Sequence, residues 1–157
     1  MPYASSNDLS DFEFHDSISK LERYEQGILS ITVQNLIILA SAESNPHSTD
    51  MEIKTALITF NGFRAISFEP GQAWQIGETG LYPSHEPKVV FEGSSAEKLF
   101  LAQLQAGVLV YEFGLLENGN HYLDGSATEP WFQLQFTFDS VTIQWDSFYG
   151  PAWYEVP

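Results

Sequence analysis

The sequence predicts a mainly β chain at the α+β margin, an antiparallel β-sandwich or partly open barrel with a single helix near residues 95–106. Three observations lead there. Short runs of alternating apolar and polar residues recur along the chain, as half-buried strands require. Asn-Gly pairs and Gly/Pro clusters punctuate these runs at turn spacing. Only one segment carries the start, face and stop signals of a helix.

Residues 1–11 are small, polar and acidic, and read as a flexible tail. Residues 12–157 read as one globular β-rich domain, since no Gly/Ser-rich stretch divides the patterned region. Ile18, Leu21 and Tyr24 suit a first strand, and Glu25-Gln26-Gly27 a turn. Leu29, Ile31 and Val33 then share one face of a second strand, which continues through Ile37–Leu39 past a bulge near Gln34-Asn35. Residues 41–50 are almost devoid of apolar side chains and read as a loop. Met51 to Phe60 reads as a strand, and Asn61-Gly62 as a hairpin turn returning through Phe63 to Phe68.

Pro70 to Pro87 is broken by Pro and Gly and predicts a long loop, although Trp74, Ile76, Leu81 and Tyr82 make it unusually apolar. Val89-Val90-Phe91 reads as a short buried strand. Ser94 with Glu97 has the spacing of a capping box, Leu99, Phe100, Leu101 and Leu104 supply an apolar face, and Gly107 suits the helix stop. Val108 to Phe113 is a strand, with a hairpin turn at Asn118-Gly119 and a return through His121-Tyr122-Leu123. The cleanest alternation follows. Phe132, Leu134, Phe136 and Phe138, then Val141, Ile143 and Trp145, predict a hairpin with one apolar and one polar face.

The 157 residues carry 21 Asp and Glu against 6 Lys and Arg, for a formal net charge of −15. After Lys98 there are seven acids and no Lys or Arg, together with 13 of the 23 aromatic residues. Phosphate neutralisation by Lys and Arg supplies most affinity for nucleic acid, so nucleic-acid binding is disfavoured, and attraction to anionic membranes likewise. A basic protein partner would instead be steered towards this chain. The chain has no cysteine, which removes disulfides, thiol nucleophiles and Cys-based zinc sites. Met1 to Asp8 lacks the basic and apolar regions of a signal peptide, and the longest apolar stretch, Leu36 to Ala40, is too short to span a bilayer. A soluble cytoplasmic protein is the expectation.

Few residues suggest chemistry. His15 and Asp16 join imidazole to carboxylate near the first strand, and His121 and Asp124 do the same later. If the four converged they would suit a divalent metal or acid–base catalysis. No His-x-x-x-His spacing enforces this, so no metal is expected. Gly77-Glu78-Thr79-Gly80 lacks the Lys-Ser/Thr of a phosphate loop, so no cofactor is expected either. Large aromatic side chains are the more unusual feature. Trp74, Tyr82, Trp131, Trp153 and Tyr154 fall outside simple strand alternation and are candidate binding residues, because Trp and Tyr offer large rigid contact area with a polar handle.

The start Phe12-Glu13-Phe14-His15-Asp16-Ser17, followed by Gly27-Ile28-Leu29, and the ending Gly150-Pro151-Ala152-Trp153-Tyr154-Glu155 carry a family resemblance. They resemble the termini of several small uncharacterised bacterial β-proteins, some of which are candidate immunity proteins of polymorphic toxin systems. The resemblance implies no activity and no site.

Three functions are therefore expected in turn: an acidic, non-enzymatic protein-binding chain of the immunity or inhibitor kind; a metal-dependent or acid–base enzyme on His15, Asp16, His121 and Asp124; and a small-molecule or carbohydrate-binding module.

Overall fold

The computed structural model describes residues 1–71, 74–77, 80–83 and 89–155, with only the backbone described at 74–77 and 81–83. The first half of the chain contains β1 (Tyr3–Ser6), a 3-10 turn at Leu9–Asp11, β2 (Phe12–Glu13), β3 (Ile18–Glu25), β4 (Ile28–Gln34), β5 (Ile37–Ile38), β6 (Met51–Ile53), β7 (Ala56–Asn61) and β8 (Arg64–Pro70). The second half contains β9 (Trp74–Gly77), β10 (Gly80–Pro83), β11 (Phe91–Glu92), α1 (Ser94–Ala106), β12 (Val108–Leu115), β13 (His121–Ser126), β14 (Phe132–Thr137), β15 (Ser140–Trp145), β16 (Phe148–Pro151) and a closing 3-10 turn at Trp153–Glu155.

Ten strands make one antiparallel sheet in the order β1-β15-β7-β4-β3-β12-β13-β14-β8-β11. A second sheet has the order β16-β6-β5-β2, and β9 with β10 forms a two-stranded ribbon. The large sheet is not closed. Its pairing is short at its middle, where β3 and β12 share the pairs Ser19↔Val108 and Ile18↔Leu109. Its halves fold over each other at that point, because Phe60 of β7 meets Phe136 of β14 at 5.8 Å although several strands separate them in the sheet. The fold is thus mainly β, antiparallel and sandwich-like, with one helix.

The inner face follows from the alternation. In one half, Leu29, Phe60 and Val141 form a row across β4, β7 and β15; Ile31, Ile58 and Ile143 form the next; Val33, Ala56 and Trp145 the third. Every member is buried. Small Ala56 beside Trp145 leaves room for the indole. In the other half, Leu123, Leu134 and Phe68 line up across β13, β14 and β8. Gly125 lies opposite Phe132 and has no space for a side chain, since a Cβ there would meet Val108 Cγ1 at 2.7 Å and the Leu109 carbonyl at 2.8 Å. Helix α1 adds Phe100 to this core, against Phe63 and Phe132. Its Gln103 is buried and satisfied: the amide donates to Thr128 Oγ1 at 2.6 Å and accepts the Glu129 N–H at 3.0 Å.

Several expectations are corrected. Residues 1–11 are not a loose tail, because Tyr3–Ser6 pairs with β15 and Tyr3 stacks on Trp145. Gln34-Asn35 is not a bulge within one strand. Asn35 adopts φ 62, and the chain passes there from the large sheet into the small one. Met51–Phe60 likewise splits between the sheets as β6 and β7.

Neither Asn61-Gly62 nor Asp139-Ser140 makes a hairpin. β7 pairs with β4 and β15, whereas β8 pairs with β14 and β11, so both connections carry the chain from one half of the sheet to the other. The two crossings brace each other. The Asn61 carbonyl accepts the Asp139 N–H at 2.8 Å, its amide donates to Ser140 Oγ at 3.1 Å, and Arg64 bonds Asp139. Gly62 sits at φ 67 with the Asp139 carboxylate where a Cβ would go.

The helix begins as expected but is not held by a capping box. Gly93, at φ 58, is the N-cap, its carbonyl accepts the Glu97 N–H, and no side chain caps the turn. Gly107 does close the helix, with its N–H bonded to the Gln103 and Leu104 carbonyls. The long loop contains β9 and β10, and Val89, Val90 and Phe91 are exposed rather than buried. The hairpin at Asn118-Gly119 is present, joining β12 to β13. Among the described residues no helix is long and apolar enough to cross a membrane.

Candidate functional site

The four polar candidates are not brought together. His15 and Asp16 lie before β3, where Asp16 takes φ 65 and the His15 ring bonds the Tyr111 carbonyl at 2.6 Å, with Asp16 at 3.5 Å from its other nitrogen. Both side chains are exposed. The Tyr111 carbonyl and then the Asp16 charge push the His15 imidazole above its usual range. His121 and Asp124, three residues apart on one strand, point to opposite faces. Asp124 is on the outer face, where burial raises its carboxyl, a bond from Gln133 at 2.9 Å opposes this, and the charges of Glu112 and Glu69 raise it further. No group of three or more His, Asp and Glu is placed to hold a metal among the described residues.

His121 faces inward, in the row with Phe136 and Ala65, and its ring packs on Phe113, Phe136 and Phe138. It is one of the residues lining a groove of about 450 Å³ between residues 7–14 and the end of the β12–β13 hairpin. Burial pushes its imidazole down. The folded chain therefore binds this proton less readily than the unfolded chain. The stability this group contributes is present above the ordinary histidine range and is lost as pH falls through the lowered value. Replacing His121 with Phe, which fits the aromatic setting, is expected to flatten the loss of thermal stability between about pH 7 and pH 5. Melting curves of the two proteins across that range check it, and equal pH dependence would reject it.

The aromatic candidates divide by sheet. Trp131 is half-buried at the start of β14, where its carbonyl accepts the Gly71 N–H at 2.7 Å and its ring lies against the bare Gly71. Trp74 and Tyr82 have backbones in β9 and β10, and their side chains lie outside the described residues. Trp153 and Tyr154 follow the small sheet and are exposed, 80% and 44%, with their rings edge to face at 5.4 Å. Tyr149, which the alternation of β16 turns outward from Phe148, is also exposed, at 69%.

This corner is exposed yet firmly held. The buried Ala152 donates to the Asp50 carbonyl at 2.9 Å, and Glu155 donates back to Ala152 at 2.8 Å, which fixes the turn carrying Trp153. Asp50 does more with its side chain. One oxygen accepts the Ala40 N–H at 2.6 Å and the other the Tyr154 hydroxyl at 2.5 Å. Burial, that bond and the charges of Asp50, Glu155 and Glu13 all raise the Tyr154 phenol. Asp50 gave no signal in the sequence, since it ends a stretch readable only as loop.

The neighbouring face of the small sheet is acidic. Across its strands runs the row Glu13, Ile37, Glu52 and Gly150, in which Glu13 is exposed, Glu52 half-buried and Ile37 buried, while the alternate row of Phe12, Ile38 and Met51 is buried. Glu13 and Glu52 thus share the sheet face opposite Phe12, Ile38 and Met51. Lys54, exposed and just beyond β6, is the cation nearest Glu52 along the chain, and Lys20 the one nearest Glu13. Elsewhere, Arg23 pairs with Glu25 and Arg64 with Asp139, so two of the few cations are neutralised locally.

Comparison with known proteins gives no match, whether with a family model, a curated protein or a solved structure.

Proposed function

We propose that the chain is a non-enzymatic binding protein of the immunity or inhibitor kind, whose acidic surface receives a basic protein partner in the cytoplasm. One observation carries the reading: Trp153 and Tyr149 are exposed, Trp153 on a turn held by hydrogen bonds to Ala152 and Asp50, and the charges of Glu13, Asp50 and Glu155 reach its neighbour Tyr154. Large apolar rings normally leave water unless they have a partner to meet, and rigid exposed Trp and Tyr lose little entropy on binding. The surplus of acids adds long-range attraction for a basic surface. The dispersal of His15, Asp16, His121 and Asp124 gives an enzymatic reading nothing comparable to stand on.

The test is the salt dependence of binding to a fluorescein-labelled dodecapeptide of alternating Gly and Lys, read by anisotropy. Affinity is expected to fall by roughly tenfold or more between about 20 and 200 mM salt, because exposed charges are screened beyond the Debye length. Absence of binding at low salt, or binding indifferent to salt, would overturn the reading.

A further inference from the structure

We propose that the Trp153 corner selects arginine over lysine in its partner, the guanidinium lying flat on the exposed indole with its N–H edge turned towards the surrounding carboxylates. This rests on the basic-partner reading and adds which cation the site is built for.

An indole at 80% exposure offers an open π face. Tyr154 meets it edge-on and is itself tied to Asp50, so the indole is backed on one side by a ring that cannot swing away without breaking the bond to Asp50. The acids lie round this pair on separate elements: Asp50 ahead of β6, Glu155 in the closing turn and Glu13 on β2, all three close enough to act on the Tyr154 phenol. Glu52 lies on the same sheet face as Glu13, and Gly150 beside it leaves the backbone bare with open space above.

An aromatic face bordered by carboxylates suits the two cations unequally. Guanidinium is planar, weakly hydrated and able to stack on a ring while its edge donates to carboxylate oxygens. Ammonium is a compact, strongly hydrated point charge that gains from the net negative field but little from the flat ring. Lysine is therefore attracted by the charge of the whole chain, and arginine by that charge plus the corner. Trp131 does not offer the same arrangement, since it is half-buried against Gly71.

The experiment compares two labelled dodecapeptides of equal charge, alternating Gly-Arg and alternating Gly-Lys, on the wild-type chain and on Trp153→Ala. The exposure of Trp153 makes its removal compatible with folding, and Leu115→Ala, also an exposed apolar residue but on the β12–β13 hairpin, is the control. The wild type is expected to prefer the Arg peptide by about three- to tenfold, the range that a ring-stacked cation supplies. Trp153→Ala is expected to weaken Arg-peptide binding more than Lys-peptide binding and so bring the two affinities together, with the salt dependence set by the net charge persisting, and Leu115→Ala to keep the preference. Equal binding of the two peptides to the wild type, or a preference that survives in Trp153→Ala, overturns the arginine assignment while leaving the basic-partner reading intact. Failure of both peptides to bind overturns both.

Discussion

Replacing Trp145 with Ala is expected to cost roughly 3–5 kcal/mol, the range for emptying a core site of a large aromatic side chain. Trp145 is fully buried and is the common point of three parts of the fold. Tyr3 of β1 stacks on it at 5.7 Å, Phe12 of β2 meets it edge-on at 5.9 Å, and Phe148 of β16 does so at 6.0 Å. Its removal opens a cavity where the large sheet, the small sheet and the N-terminal strand converge. Trp145→Phe is expected to cost only about 1–2 kcal/mol, since most of the ring volume survives. Among the described residues the indole Nε1 has no hydrogen-bond partner, so phenylalanine sacrifices no bond to them. Urea unfolding of both variants checks the pair. Equal losses would show that Trp145 contributes through something other than filled space.

The second large effect is expected from deleting residues 1–7. β1 pairs over four residues with β15, and Asn7 extends the contact by exchanging hydrogen bonds of 2.8 and 2.9 Å with Val141. The deletion uncovers Trp145 and strips one edge of the ten-stranded sheet. A cost of about 2–4 kcal/mol, from lost apolar cover and lost pairing, lowers the melting temperature by roughly 5–15 °C for a chain of this size. The newly open β15 edge is also expected to promote self-association, because unpaired strand edges recruit other strands. Calorimetry and sedimentation of the truncated chain check this. A truncation that melts with the full chain would return residues 1–7 to the status of a tail.

What the sequence shows of the fold is mostly local. Leu29, Ile31 and Val33, or Phe132, Leu134 and Phe136, identify strand and inward face by alternation alone, and all six are buried. Pairing is not local. Asn61-Gly62 has hairpin chemistry, but that chemistry fixes a turn and not the partner of the strand beyond it. Gly62 serves instead at a crossing between the halves, where the Asp139 side chain fills the space a Cβ would need. The N-terminal strand was hidden for a related reason. Tyr3-Ala4-Ser5-Ser6 has little apolar pattern of its own and becomes a strand by completing β15.

The candidate site was legible in its residue types and not in their grouping. Trp153 and Tyr154 stand out as aromatics beyond the last strand, and both reach solvent. Trp131 looks equivalent in sequence and is not, because Gly71 admits its ring. Asp50, which fixes the corner through Ala40, Ala152 and Tyr154, is separated from Tyr154 by 104 positions and left no local trace. The His121–Asp124 pairing failed on strand geometry, since an odd spacing turns the two side chains to opposite faces.

We propose the corner around Trp153 as the working surface. The indole N–H resonances of the four tryptophans, followed while the Gly-Arg peptide is added, test it most directly. The signal absent from the spectrum of Trp153→Ala is expected to move furthest and to saturate with the binding curve, while that of buried Trp145 stays in place. Binding that proceeds with the Trp153 signal unmoved would contradict the account.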